Sequence, residues 1–60
     1  GASLKSTDIT IAATYYAMED AANARYYLMQ AMQQDSSMGE VFLDFHPDAT
    51  EFVNSIRKLL

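Results

Sequence analysis

Small and bulky residues recur at fixed intervals between Ile11 and Ala31: Ala12, Tyr15 three positions on, Ala24 nine on, Leu28 four on and Ala31 three on. Steps of three and four keep side chains on one face of a helix, so the pattern predicts two helices joined by a tight turn. The small residues sit where the two backbones approach, and Tyr15 and Leu28 fill the space beside them. An antiparallel helical hairpin with a packed seam follows, and with it a class of function, a protein-interaction module.

Sixty residues allow one domain, 1–60, and a chain of that size buries only about 60% of the surface its unfolded form exposes. Cysteine is absent, so neither disulfides nor thiolate-bound zinc can staple the fold, and packing has to hold it. With half its residues hydrophobic and 20% charged, the composition is that of a folded rather than a disordered chain. Four Lys and Arg against eight Asp and Glu leave a net charge of −4, the wrong sign for tracking a phosphate backbone. Nucleic acid is therefore not an expected partner. Apolar runs are too short for a membrane span, and the start lacks the basic-then-apolar layout of a secretory signal, which leaves the compartment unspecified. Gly1-Ala2-Ser3 reads as a flexible start, a cleavage scar or a domain boundary spanning 1–6, and the chain is expected to be a piece of a longer protein.

Ser6, Thr7 and Asp8 are competent N-caps, and the apolar periodicity that follows predicts a first helix from Asp8 to Met18. Glu19-Asp20 forms a short polar turn, with Asp20 placed to cap what comes next. Ala24, Tyr27, Leu28, Ala31 and Met32 make one stripe of a second helix over Ala21 to Gln34. Asp35-Ser36-Ser37, with side chains that compete for backbone hydrogen bonds, ends the hairpin region 7–35. Glu40 to Phe45 is apolar at Val41, Phe42, Leu43 and Phe45 and is expected as a short helix, because no other segment offers a strand to pair with it. Pro47 has a φ suited to a first helical turn, so a last helix is expected from there. Its apolar face comprises Ala49, Phe52, Val53, Ile56, Leu59 and Leu60. The expected architecture is all-α: a helix-turn-helix hairpin over 7–35, then a short segment and a C-terminal amphipathic capping helix over 38–60.

These residues resemble a tetratricopeptide repeat, in which an aromatic, Leu-Gly and Tyr occupy the first helix and Ala-x-x-x-Phe the second, followed by Pro. Ile11-Ala12 stands at the Leu-Gly step, Tyr15 at the Tyr, Ala24 and Leu28 at the Ala and Phe, and Ala31 at the later Ala. Asp8 departs from the opening aromatic and Ser36 from the Pro. The match covers about residues 5 to 38. Continued in register, Phe42 stands at a second opening aromatic, but Pro47 interrupts the unit, which then reads as a terminal cap. The resemblance implies scaffolding through a concave helical surface, without catalysis and without a cofactor.

The residues offer little chemistry to compete with that reading. His46 is the lone histidine, and without a Cys or a second His it cannot build the usual nucleophile or metal constellations. Asp44, His46 and Asp48 would make only a weak divalent-metal site, and Asp48 is better employed at the helix start. Glu19-Asp20 lies in a turn rather than a cleft suited to acid-base work. Gly1 and Gly39 make no phosphate loop, and Asp35-Ser36-Ser37 is a faint echo of a carrier protein's attachment serine. No catalytic, cofactor-binding or metal-binding residue is expected.

Tyr15-Tyr16 and Tyr26-Tyr27 are adjacent pairs, and neighbouring helical residues point about 100° apart, so one of each pair lies away from the seam. Tyr15 and Tyr27 fit the core face. That leaves Tyr16 and Tyr26, with Met29, as an exposed patch for a protein or peptide partner, or alternatively as cover for the third helix. Four methionines suit adaptable contacts and equally suit filling an irregular core. Two other functions compatible with the sequence are a self-associating homodimeric assembly domain, with the last helix completing a shared core, and a small carrier-type domain.

Overall fold

The structure, a computed structural model, describes residues 4–60. Four helices follow one another: α1 (Leu4–Ala17), α2 (Ala21–Gln34), α3 (Met38–Phe45) and α4 (Thr50–Arg57). All regular structure among the described residues is helical. α1 and α2 make the most extensive contact, while α3 packs on both and carries α4 with it.

α1 begins at Leu4 rather than at Asp8, because nothing in Leu4-Lys5-Ser6-Thr7 breaks a helix and Asp8 is accommodated inside it. The expected flexible start falls partly on residues 1–3, which lie outside the described residues. Met18, Glu19 and Asp20 connect α1 to α2. Glu19 has φ 63°, the left-handed conformation that closes a helix end. Its N–H donates to the Tyr16 carbonyl at 3.0 Å, and the Asp20 N–H to the Tyr15 carbonyl at 2.9 Å. Together these satisfy carbonyls that the last turn of α1 leaves over. Asp20 then caps α2: its carboxylate accepts from the Asn23 backbone N–H at 3.2 Å and from the Asn23 side-chain amide at 2.8 Å.

The stripe Ala24, Leu28, Ala31 and Met32 is the buried face of α2. Ala12 lies opposite on α1, and Ala12, Ala24 and Ala31 have no exposed surface at all. Without side chains beyond a methyl, these positions let the helices approach closely. Tyr15, expected on the core face with Tyr27, instead lies half-buried at the edge of the pair, where its ring stacks on that of Tyr27 with centroids 5.8 Å apart, and Tyr16 takes the inward position.

α3 starts at Met38, two residues before Glu40, so that Gly39 lies in its first turn. Gly39 is buried where α2, α3 and α4 converge, and a Cβ there would stand 3.0 Å from Val53 Cγ1 and 3.3 Å from Met32 Cε. α4 starts at Thr50, not at Pro47: the Ala49 N–H donates to the His46 carbonyl at 3.0 Å, folding Pro47 and Asp48 into a turn. That turn points Ala49, Val53 and Ile56 into the core beneath Phe42, the largest fully buried side chain. Leu59 and Leu60 lie beyond the end of α4 and are exposed. Arg57 reaches across to Glu40 at 2.8 Å, joining α4 to α3 at the surface, where such a pair contributes about 0–1 kcal/mol.

Candidate functional site

The three side chains expected to form an outer patch have different environments. Tyr16 turns inward: its ring lies 5.5 Å from Phe42, 4.8 Å from His46 and 5.0 Å from Phe52, centroid to centroid. It is half-buried and forms part of the joint between α1 and the α3–α4 unit, so an exposed position for it is corrected. Met29 is half-buried against the core. Tyr26 is 57% exposed, its ring edge-on to that of Tyr27 at 5.1 Å.

His46 is engaged within the fold. Its Nε2–H donates to the Ala13 carbonyl at 2.8 Å, and its ring packs on Tyr16 and Phe42. Asp44 and Asp48, its neighbours in sequence, are exposed. Among the described residues no group of three His, Cys, Asp or Glu side chains is placed to hold a metal ion. Asp35 accepts from the Ser37 N–H at 3.0 Å and the Ser37 hydroxyl at 2.6 Å, an arrangement that shapes the entry to α3. No helix of the described residues is long and apolar enough to cross a membrane.

Two shallow grooves lie along the exposed side of α1. One groove, of about 320 Å³, is lined by Thr10, Ile11, Thr14, Tyr15 and Met18. A second, of about 330 Å³, runs along the other side of Thr10 and Thr14 and is bounded by Ala13, Ala17, Phe45 and His46. Thr10 and Thr14 thus form a low ridge, one helical turn long, between two channels. The Thr14 hydroxyl donates to the Thr10 carbonyl at 2.9 Å, which turns its hydrogen-bonding capacity back into α1. Met18 and Phe45, at 61% and 53% exposure, stand at the margins.

Sequence reasoning overlooked this face. Its trace was present: Ile9 to Met18 carries no charge, and Thr7, Thr10 and Thr14 recur at steps of three and four. Threonines at that spacing resemble an ordinary polar face, and the bond from the Thr14 hydroxyl to the Thr10 carbonyl cannot be read from spacing alone.

Compared with protein-family models, curated proteins and solved structures, the chain matches none.

Proposed function

We propose that this chain is a protein-interaction module: a tetratricopeptide-like helical hairpin, capped by α3 and α4, that binds a protein or peptide partner and carries out no catalytic step. The reading is supported first by where the apolar surface lies. A closed core forms from Leu28, Phe42, Val53 and Ile56 while Met18, Tyr26 and Phe45 stay more than half exposed. Large apolar side chains left outside a complete core are surface available to another molecule.

The tetratricopeptide-like part of the proposal rests on the seam. Ala12, Ala24 and Ala31 are fully buried at the positions where the repeat pattern calls for small residues, and Leu28 is fully buried where it calls for a large one. Departures at Asp8 and Ser36 keep this a likeness of pattern.

Sedimentation at micromolar and submicromolar concentrations tests the proposal against a homodimeric assembly domain. A monomer at both supports an independent module. A dimer that persists on dilution overturns it, because the exposed apolar surface would then be half of an obligate interface.

A further inference from the structure

We propose that the outer face of α1 is a docking surface for an amphipathic helix whose flanks are basic, supplied by a partner protein. This rests on the interaction-module reading above and names the surface and the partner's chemistry.

The shape favours a helix. Two channels flank the Thr10–Thr14 ridge, and a ridge of residues four apart between two grooves is the relief with which helices interdigitate. Large apolar side chains three and four apart on an incoming helix would straddle the ridge, some beside Ile11 and Tyr15, others beside Ala17 and Phe45. The Thr14 hydroxyl, already donating to Thr10, places no demand on the occupant for a hydrogen bond.

The charge distribution selects among helices. No lining residue of the first channel is charged, so the contact itself is apolar. Along the chain carboxylates predominate: between residues 6 and 56 the one Lys or Arg is Arg25, against eight Asp and Glu that include Asp8 and Glu19 on either side of the charge-free run. Lys5 precedes that stretch and Lys58 follows it, and the net charge of −4 makes the overall field negative. Arg57, beyond that stretch, is paired with Glu40. Such a field attracts a basic partner and repels a second copy, which brings the same net charge of −4.

The test uses two synthetic helical peptides with the same Leu and Ala face, one carrying Lys and the other Glu at the remaining positions. Each is titrated into the isotope-labelled 60-residue chain and followed by amide NMR signals. The Lys peptide is expected to move the signals of Thr10, Thr14, Met18 and Phe45. Its affinity should fall as salt shortens the Debye length from about 10 Å at 0.1 M to about 3 Å at 1 M. The Glu peptide should leave those signals in place. Thr10→Gln and Thr14→Gln together raise the ridge without adding charge, and should weaken the Lys peptide about tenfold or more while the circular dichroism stays helical.

Equal binding of both peptides, no binding of the Lys peptide, or an unchanged affinity in the double variant overturns the proposal. Signals that move around Tyr26 instead overturn the α1 surface while the interaction-module reading stands. A persistent dimer with α1 at its interface overturns both.

Discussion

His46 donates a hydrogen bond from Nε2 to the carbonyl oxygen of Ala13, 2.8 Å away and 33 residues earlier in the chain. It ties the end of α3 to the middle of α1, and the same ring packs against Tyr16. His46→Ala removes both contacts and should cost about 1–2 kcal/mol. For a chain of this size that is a fall in Tm of about 4–8 °C per kcal/mol, measurable by thermal melting. A Tm equal to that of the parent chain would show that the α3–α4 unit is held without it.

Tyr16 and Tyr26 should respond in opposite ways to the same substitution. Tyr16→Ala opens space among Phe42, His46 and Phe52 and is expected to destabilise by about 2–4 kcal/mol, somewhat less than a fully buried aromatic would. Tyr26→Ala, at an exposed site, should stay within about 0.5 kcal/mol of the parent. Urea unfolding of the two variants side by side checks the ordering, and a larger loss at Tyr26 contradicts it.

Gly39 sets two helix-level effects against each other. Alanine in a helix is favoured over glycine by about 1 kcal/mol. Its Cβ, however, would meet Val53 Cγ1 at 3.0 Å, and Val53 is fully buried with little room to give, whereas the Arg57 guanidinium at the same distance can swing away. Overpacking of this kind costs about 1–3 kcal/mol, so Gly39→Ala should be net destabilising. Val53→Ala in the same chain should then recover part of the loss, and a double-mutant cycle with no coupling would argue against the contact.

At Glu19 the chain occupies φ 63° with a side chain that gains nothing from it. Left-handed backbone costs a non-glycine residue about 1–2 kcal/mol, and Gly returns part of that through its greater freedom when unfolded. Glu19→Gly is expected to stabilise by up to about 1 kcal/mol, seen as a higher urea midpoint. A lower midpoint would place the residue's value in its carboxylate rather than its backbone.

Helical periodicity explains which parts of the fold were legible beforehand. The stripe Ala24, Leu28, Ala31 and Met32 is a local property of spacing, and it is the buried face of α2. The role of Asp20 as cap was legible for the same reason, since it depends on a residue three positions away. Glu19 was less so, because the turn recruits a residue with no preference for positive φ to complete its carbonyl hydrogen bonds. Pro47 misled in a comparable way: proline suits the first turn of a helix, but the turn closed by His46 and Ala49 delays α4 to Thr50.

By itself the sequence determined that this chain is helical, where α1 gives way to α2, and which stripe of α2 is buried, because each follows from the repeat of the helix and from contacts a few residues apart. Only the tertiary structure decided which face of α1 is covered. Both faces offer apolar residues, Ile9 and Tyr16 on one and Ile11 and Tyr15 on the other, and helical phase alone cannot rank them. The choice fell to the distant α3–α4 unit, which packs Phe42, His46 and Phe52 around Tyr16 and leaves the ridge of Thr10 and Thr14 facing outward.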